Sequence, residues 1–191
     1  MRRSLDAGFV RWQVRALLLL GAHERALARV EERLQAEPAD TYALATQAHL
    51  LAQAGRQREA GDVLERLLAV APDRAAAWFN LGFLREEQGD AEAAEQAFRQ
   101  AIALDPQCDR AWYGLGLALI RQQRFDAAAE ALRRNTALQP LSPYGWYQLA
   151  RVHVDRQAPE EAAQIIHHLR QFEPKVAAQL ERETGLGAAR V

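Results

Sequence analysis

Five prolines stand at a fixed step of 34 residues, at Pro38, Pro72, Pro106, Pro140 and Pro174. Five alanines keep the same step, at Ala26, Ala60, Ala94, Ala128 and Ala162, and three tryptophans follow it at Trp78, Trp112 and Trp146. A period of this length means stacked supersecondary units, each burying its apolar face against its neighbours. It restricts the chain to a repeat architecture before any local reading is made.

The unit from Ala75 to Cys108 shows what is repeated. Trp78, Leu81, Gly82 and Arg85 fall at i, i+3, i+4 and i+7, one face of a helix. Gln88-Gly89-Asp90 interrupts that helix, and Asp90 can cap the next through its carboxylate. Ala94, Phe98 and Ala101 form a second apolar stripe. Asp105-Pro106 ends it, because the residue before a proline is pushed out of the α region. Each unit therefore reads as two helices. Asp40, Asp73, Asp109 and Ser142 follow the repeat prolines and are expected to cap the first helix of the next unit. Pro143 and Pro159 suit first helical positions. Ala48, Gly82, Gly116 and Ala150 leave room where the two helices of a hairpin cross, and the tryptophan ring is expected to fill the gap between hairpins.

The ends depart from the pattern, as terminal repeats do. The first unit has Val10 where later units have tryptophan, with Trp12 two residues on. After Pro174 a solitary helix is expected over 175–184, with Val176, Ala177 and Leu180 inward and Gly185 as its stop, followed by a frayed tail over 187–191. The whole chain, 1–191, then forms a single array with repeats near 7–40, 41–74, 75–108, 109–142 and 143–176.

The marks Trp78, Leu81, Gly82, Ala94, Phe98 and Pro106 resemble those of the tetratricopeptide repeat (TPR) family. The next unit matches at Trp112, Leu115, Gly116, Ala128, Leu132 and Pro140, and the last at Trp146, Leu149, Ala150, Ala162, Ile166 and Pro174. The resemblance spans roughly residues 7 to 174. It implies an all-α fold, a right-handed superhelical α-solenoid of helix-turn-helix hairpins with a C-terminal capping helix. It also implies a non-catalytic scaffold or adaptor that assembles complexes by holding a peptide segment or helix of another protein in a concave groove, rather than an enzyme.

Composition agrees with a binding module and excludes several other classes. The net charge of −1 and pI near 6.5 give no reason to expect nucleic acid as a partner. Lys175 is the one lysine among 24 basic residues, an arginine bias that suggests a bacterial source. Cys108 is the sole cysteine, so no internal disulfide or paired-cysteine metal site can form. No phosphate loop, GxSxG or HExxH motif is present, and no cofactor or metal is expected. His167 and His168 are adjacent and point about 100° apart on a helix, which prevents them from sharing a metal easily; His153 belongs to the preceding helix. Leu17 to Leu20 form a short apolar run preceded by Arg11 and Arg15. It reads as part of an amphipathic helix rather than a signal peptide or membrane span, so the expectation is a cytoplasmic protein without direct membrane insertion.

In the resembled family the first helix of each unit lines the concave face where partners lie. By position this implies Arg11, Trp12 and Arg15 from the first unit, and Tyr42, Thr46 and His49 from the second. The third contributes Phe79, Asn80, Phe83 and Glu87, the fourth Arg110, Tyr113, Leu117 and Arg121, and the fifth Tyr144, Tyr147, Gln148 and Arg151. Aromatics with arginines are typical of protein-binding patches. An aromatic directly after the tryptophan often packs within its own repeat in this family, an alternative for Phe79, Tyr113 and Tyr147. The two-carboxylate clamp of chaperone-binding TPR proteins is matched only at Asn80 and Arg110, with Ala45, His49 and Gly114 in the other places, so an EEVD-like chaperone tail is not the expected ligand. Two other roles fit the same residues: a dedicated client chaperone of a bacterial secretion or assembly system, and a regulatory subunit of an enzyme complex. The leucine run at 17–20 covers more of its helix than one neighbour can bury, so it either meets a partner or another copy of the chain or covers an end that the short N-terminal segment closes, with self-association through that helix the reading preferred.

Overall fold

Alanine at a fixed rung lets two helices approach closely, and Ala26, Ala60, Ala94, Ala128 and Ala162 are all fully buried. The structure, a computed structural model, describes residues 7–186. Eleven helices are present among them: α1 (Ala7–Leu19), α2 (His23–Ala36), α3 (Thr41–Gln53), α4 (Gln57–Val70), α5 (Ala75–Glu87), α6 (Ala91–Leu104), α7 (Asp109–Arg121), α8 (Phe125–Leu138), α9 (Pro143–Asp155), α10 (Pro159–Arg170) and α11 (Pro174–Thr184). None is long and apolar enough to cross a membrane. The parts of the chain expected to fray, 187–191, and the basic start before Ala7 lie outside the described residues.

The chain divides into two compact units, one ending at Leu84 and one beginning at Arg85, within α5. In the first, α1 packs on α2, α2 on α3 and α3 on α4; its core is Val10, Val14, Leu27, Leu44, Leu51, Leu64 and Leu67. In the second, α6 through α11 pack in succession around Phe98, Leu119, Leu132, Val152, Ile166 and Leu180, and α11 touches α9 as well as α10.

The turn inside each hairpin is built alike. Gly21, Gly55 and Gly89 take φ of +69°, +75° and +82°, and the residue after each donates its N–H to a carbonyl five residues back. That is a Schellman closure, in which a left-handed residue lets the chain satisfy the last carbonyls of a helix. The fourth and fifth hairpins make the same bonds, Arg124 to Leu119 and Ala158 to His153, with Gln123 and Gln157 at φ +58° in the glycine position. The sequence reading saw only the glycine version of this turn.

Capping follows the expectation at Asp40 and Asp90 and departs from it at Asp109, at Ser142 and at Asp73, which stands two residues before the start of α5. Asp40 accepts from the N–H groups of Tyr42 and Ala43, and Asp90 accepts from Ala93. Asp109, by contrast, lies inside α7, whose N-cap position is Cys108, and Ser142 sits at the N-cap of α9 without a side-chain cap bond. Pro143 and Pro159 do open helices, which spares a backbone donor that would go unpaired. Pro174 opens α11 rather than closing the fifth unit, since α10 already ends at Arg170. Gly185 at φ +70° stops α11.

The tryptophans are half-buried, and each works as a latch. Trp78, Trp112 and Trp146 donate Nε1–H to the carbonyls of Pro72, Pro106 and Pro140 at 2.8, 3.0 and 2.8 Å. The repeat proline and the repeat tryptophan, six residues apart, are thus parts of one device that ties the start of each hairpin to the turn before it.

Two buried acids are held ionised in different ways. Burial alone would raise the Asp40 carboxyl, but the hydrogen bond from Arg33, with the capping N–H groups, holds it below its ordinary value. Burial likewise opposes ionisation of Glu95, where bonds from Gln122, Arg99 and Arg124 prevail. Arg33 itself is 5% exposed and pairs with both Asp40 and Glu37, so the charge is taken inside with its partners.

Candidate functional site

The residues chosen from the sequence lie on the first helices of the hairpins, α1, α3, α5, α7 and α9. Positions 34 apart form rungs across these helices. Arg15, His49, Phe83, Leu117 and Arg151 make one rung; Trp12, Thr46, Asn80, Gly114 and Gln148 make another.

In the first unit the structure makes two clusters. The Arg11 guanidinium lies over the Tyr42 ring, 4.9 Å from its centroid, a cation–π contact at its usual range. Trp12, 65% exposed, stacks on Phe9 with centroids 6.2 Å apart. Phe9 was not among the residues read from the sequence, although it stands where every later unit has the small residues Ala43, Ala77, Ala111 and Gly145. Thr46 returns its hydroxyl to the Tyr42 carbonyl at 2.8 Å, and Arg15 is exposed. The second cluster is a cavity of about 160 Å³ between α3, α4 and α5. His49 and Ala48 line it from α3, Leu64 from α4, and Asn80 and Phe83 from α5. Phe83 is 49% exposed, while Phe79 is half-buried as the alternative reading of that position predicted. The cavity combines an exposed aromatic edge, an apolar floor from Leu64, an imidazole and a carboxamide that both donates and accepts.

In the second unit several candidates already have partners within the chain. Arg121 pairs with Glu86 at 3.0 Å and also donates to the Glu86 carbonyl. Tyr147 donates its hydroxyl to Glu183 of α11 at 2.6 Å, and Arg151 lies 5.9 Å from the Tyr147 ring centroid. The Glu183 bond, with burial, raises the Tyr147 hydroxyl above its ordinary pKa. Tyr113 is half-buried and bonded to Gln148, and burial pushes its hydroxyl up in the same direction. Leu117 is half-buried, and Gly114 is covered by the Phe98 ring. Tyr144, 71% exposed, and Arg110, at the start of α7, present the outward chemistry of this face, with Glu87 exposed at the end of α5. Glu86 in α5 and Glu183 in α11, the acids that take up Arg121 and Tyr147, were not among the residues read from the sequence. Among the described residues no group of three or more His, Cys, Asp and Glu side chains is placed to hold a metal.

The geometry of latched, repeated hairpins matches one known family. The tetratricopeptide repeat model aligns over residues 46–107, 84–143 and 113–166, together more than half of the chain. The chain belongs to the tetratricopeptide repeat family. Its structural relatives agree on the fold, an all-α TPR solenoid. One is YrrB, described as a TPR protein with an unusual peptide-binding site, at TM-score 0.84 and 18% identity over 94% of each chain. Another is MamA 41-end from Desulfovibrio magneticus RS-1, at TM-score 0.78 and 24% identity over 93% of this chain and 96% of that one. A double mutant of MamA RS-1 gives 0.79 and 23% over 93% and 95%. No curated protein sequence matches this TPR chain.

Proposed function

We propose that this TPR protein is a non-catalytic scaffold that holds a peptide segment or helix of a partner protein on the outward faces of its first helices, in the service of complex assembly. The observation that carries this reading is the cavity in the first unit. There, His49 and Phe83 from one rung of the sequence pattern and Asn80 from another line one small opening. Its volume suits a single apolar side chain of a bound peptide, with the Asn80 carboxamide available to a peptide group. Stacked hairpins preform such a surface, so little ordering cost falls on the receptor. The reading takes the five repeats as one array acting in the cytoplasm. The peptide-binding site named for YrrB supports it by analogy.

The test is a co-purification with the wild-type protein as bait, followed by affinity measurement on the captured partner. Phe83→Ala with Asn80→Ala should weaken binding by about ten- to a hundredfold, as loss of an anchor and its neighbour does, with helicity and melting retained. Undiminished binding would sink this location. Tyr144→Ala and Arg110→Glu make the parallel pair in the second unit. They are preferable to Tyr147, whose removal would also release Glu183 of α11.

A second contact surface is proposed at the N-terminal end, where Phe9, Trp12 and Leu19 of α1 and Leu20 just beyond it are 51%, 65%, 89% and 80% exposed. Apolar exposure on that scale along one helix favours self-association through the N-terminal end.

A further inference from the structure

The second unit holds a cavity of about 620 Å³ between α8, α9 and α10. Its chemistry differs from that of the other hairpins. His153, 2% exposed, lies at the rung of Leu17, Leu51, Arg85 and Leu119, of which Leu51 and Leu119 are 2% and 1% exposed. Thr136, on the cavity wall, replaces Leu34, Leu68 and Ile102 in the same way. Two positions that are apolar in most of the other hairpins are thus polar here, and both face one cavity. Thr136 donates its hydroxyl to the Arg133 carbonyl at 3.0 Å, so His153 is the member of the pair whose polar capacity a ligand could take up.

The hydrogen-bond geometry assigns the proton on His153. Arg156 approaches its Nδ1 at 3.4 Å, and a guanidinium can only donate, so Nδ1 accepts and the neutral ring carries its hydrogen on Nε2. Burial, with Arg133 on α8 and Arg156 in the turn, keeps the ring's pKa below its ordinary value against the opposing pull of Glu161 on α10. His168, also on α10, tilts against Trp146 at 4.6 Å and closes one side. Arg133 and Glu161 line the cavity from different helices, and no ion pair joins them among the described residues. Leu149, Ile165 and the Trp146 ring provide an apolar surface.

We propose that this cavity binds a small zwitterion of the amino-acid class with an apolar side chain. The carboxylate sits at Arg133 with His153 Nε2–H as a second donor, the ammonium sits at Glu161, and the side chain rests on Leu149, Ile165 and Trp146. An anion alone would meet Glu161 and a cation alone would meet Arg133; only a ligand with both signs answers both walls. The volume falls within the range of small-molecule sites. This proposal is independent of the peptide-binding reading, whose residues lie elsewhere.

The test is titration of the full chain with L-leucine and L-phenylalanine, alongside the half-ligands 4-methylpentanoate and 3-methylbutylamine, by calorimetry and by NMR shifts of the Trp146 and His153 signals. The amino acids should bind at least about tenfold more tightly than either half-ligand, as the loss of one charge-assisted contact predicts. Arg133→Gln and Glu161→Gln, both surface changes, should each remove that advantage. His153→Leu introduces the residue found at Leu51 and Leu119 and should abolish binding while melting is retained. No saturable binding of either amino acid up to about 10 mM, an affinity weaker than any specific site of this kind, overturns the proposal. So does unchanged affinity in both charge variants.

Discussion

Gln123 and Gln157 carry backbone that glycine carries in the three earlier hairpins, with φ of +58° in each. A side chain in the left-handed region costs roughly 1–2 kcal/mol, part of which glycine gives back through its greater freedom in the unfolded chain. Gln123→Gly and Gln157→Gly should therefore each stabilise the protein by up to about 1 kcal/mol, read as a rise in urea midpoint at unchanged m-value. A loss of stability would mean that these glutamines contribute contacts outweighing the strain. The turn itself was legible in the sequence at Gly89, since Gln88-Gly89-Asp90 announces it. It was not legible at Gln123 or Gln157, because glutamine has no preference for positive φ and only the Schellman bonds of the finished helix place it there.

Between elements, the packing of α6 on α7 shows how a repeat tolerates an oversized residue. Phe98 stands where the other units have Val30, Leu64, Leu132 and Ile166, and it is 1% exposed. A Cβ on Gly114 would overlap the Phe98 ring, so glycine is the residue that admits it. The corresponding pairs are Leu64 with Asn80 and Leu132 with Gln148. Gly114→Asn alone should destabilise by about 1–3 kcal/mol through overpacking. Combined with Phe98→Leu it should recover most of that loss, and a thermodynamic cycle on the two changes measures the coupling. Additive effects would show that ring and glycine do not share the space. The same crossing argument holds at Gly116, where an added Cβ would lie 2.7 Å from Leu132 Cγ, as the sequence reading expected of the small residue in that hairpin.

At the scale of the whole molecule, the two ends of the chain are finished differently. The C-terminal end has α11, whose Ala177 and Leu180 are fully buried and whose Glu183 takes the Tyr147 hydroxyl. On α1, Phe9 is half exposed at a rung where Ala43, Ala77 and Ala111 are 2%, 5% and 0% exposed. Leu19→Lys with Leu20→Lys should shift the protein toward monomer in light scattering after size exclusion, with melting little changed because neither side chain is buried. An oligomeric state that ignores the substitution would leave these leucines as solvated surface. The run looked continuous from Leu17 to Leu20, but Leu17 and Leu18 are partly covered and only the last two are open.

By itself, the sequence determined the hairpin, its period and its spine. Proline, alanine and tryptophan at 34-residue spacing act through local backbone geometry and through contacts between neighbouring helices, and both are the same in every unit. Tertiary structure alone decided which polar side chains were spent inside the fold. Arg121 on Glu86, Tyr147 on Glu183, and Glu95 with Gln122 and Arg124 are pairings between side chains far apart in the sequence. A rung says which way a residue faces; whether a partner lies within about 3 Å depends on side chains reaching from other helices, and charge interactions at that range leave no period in the sequence.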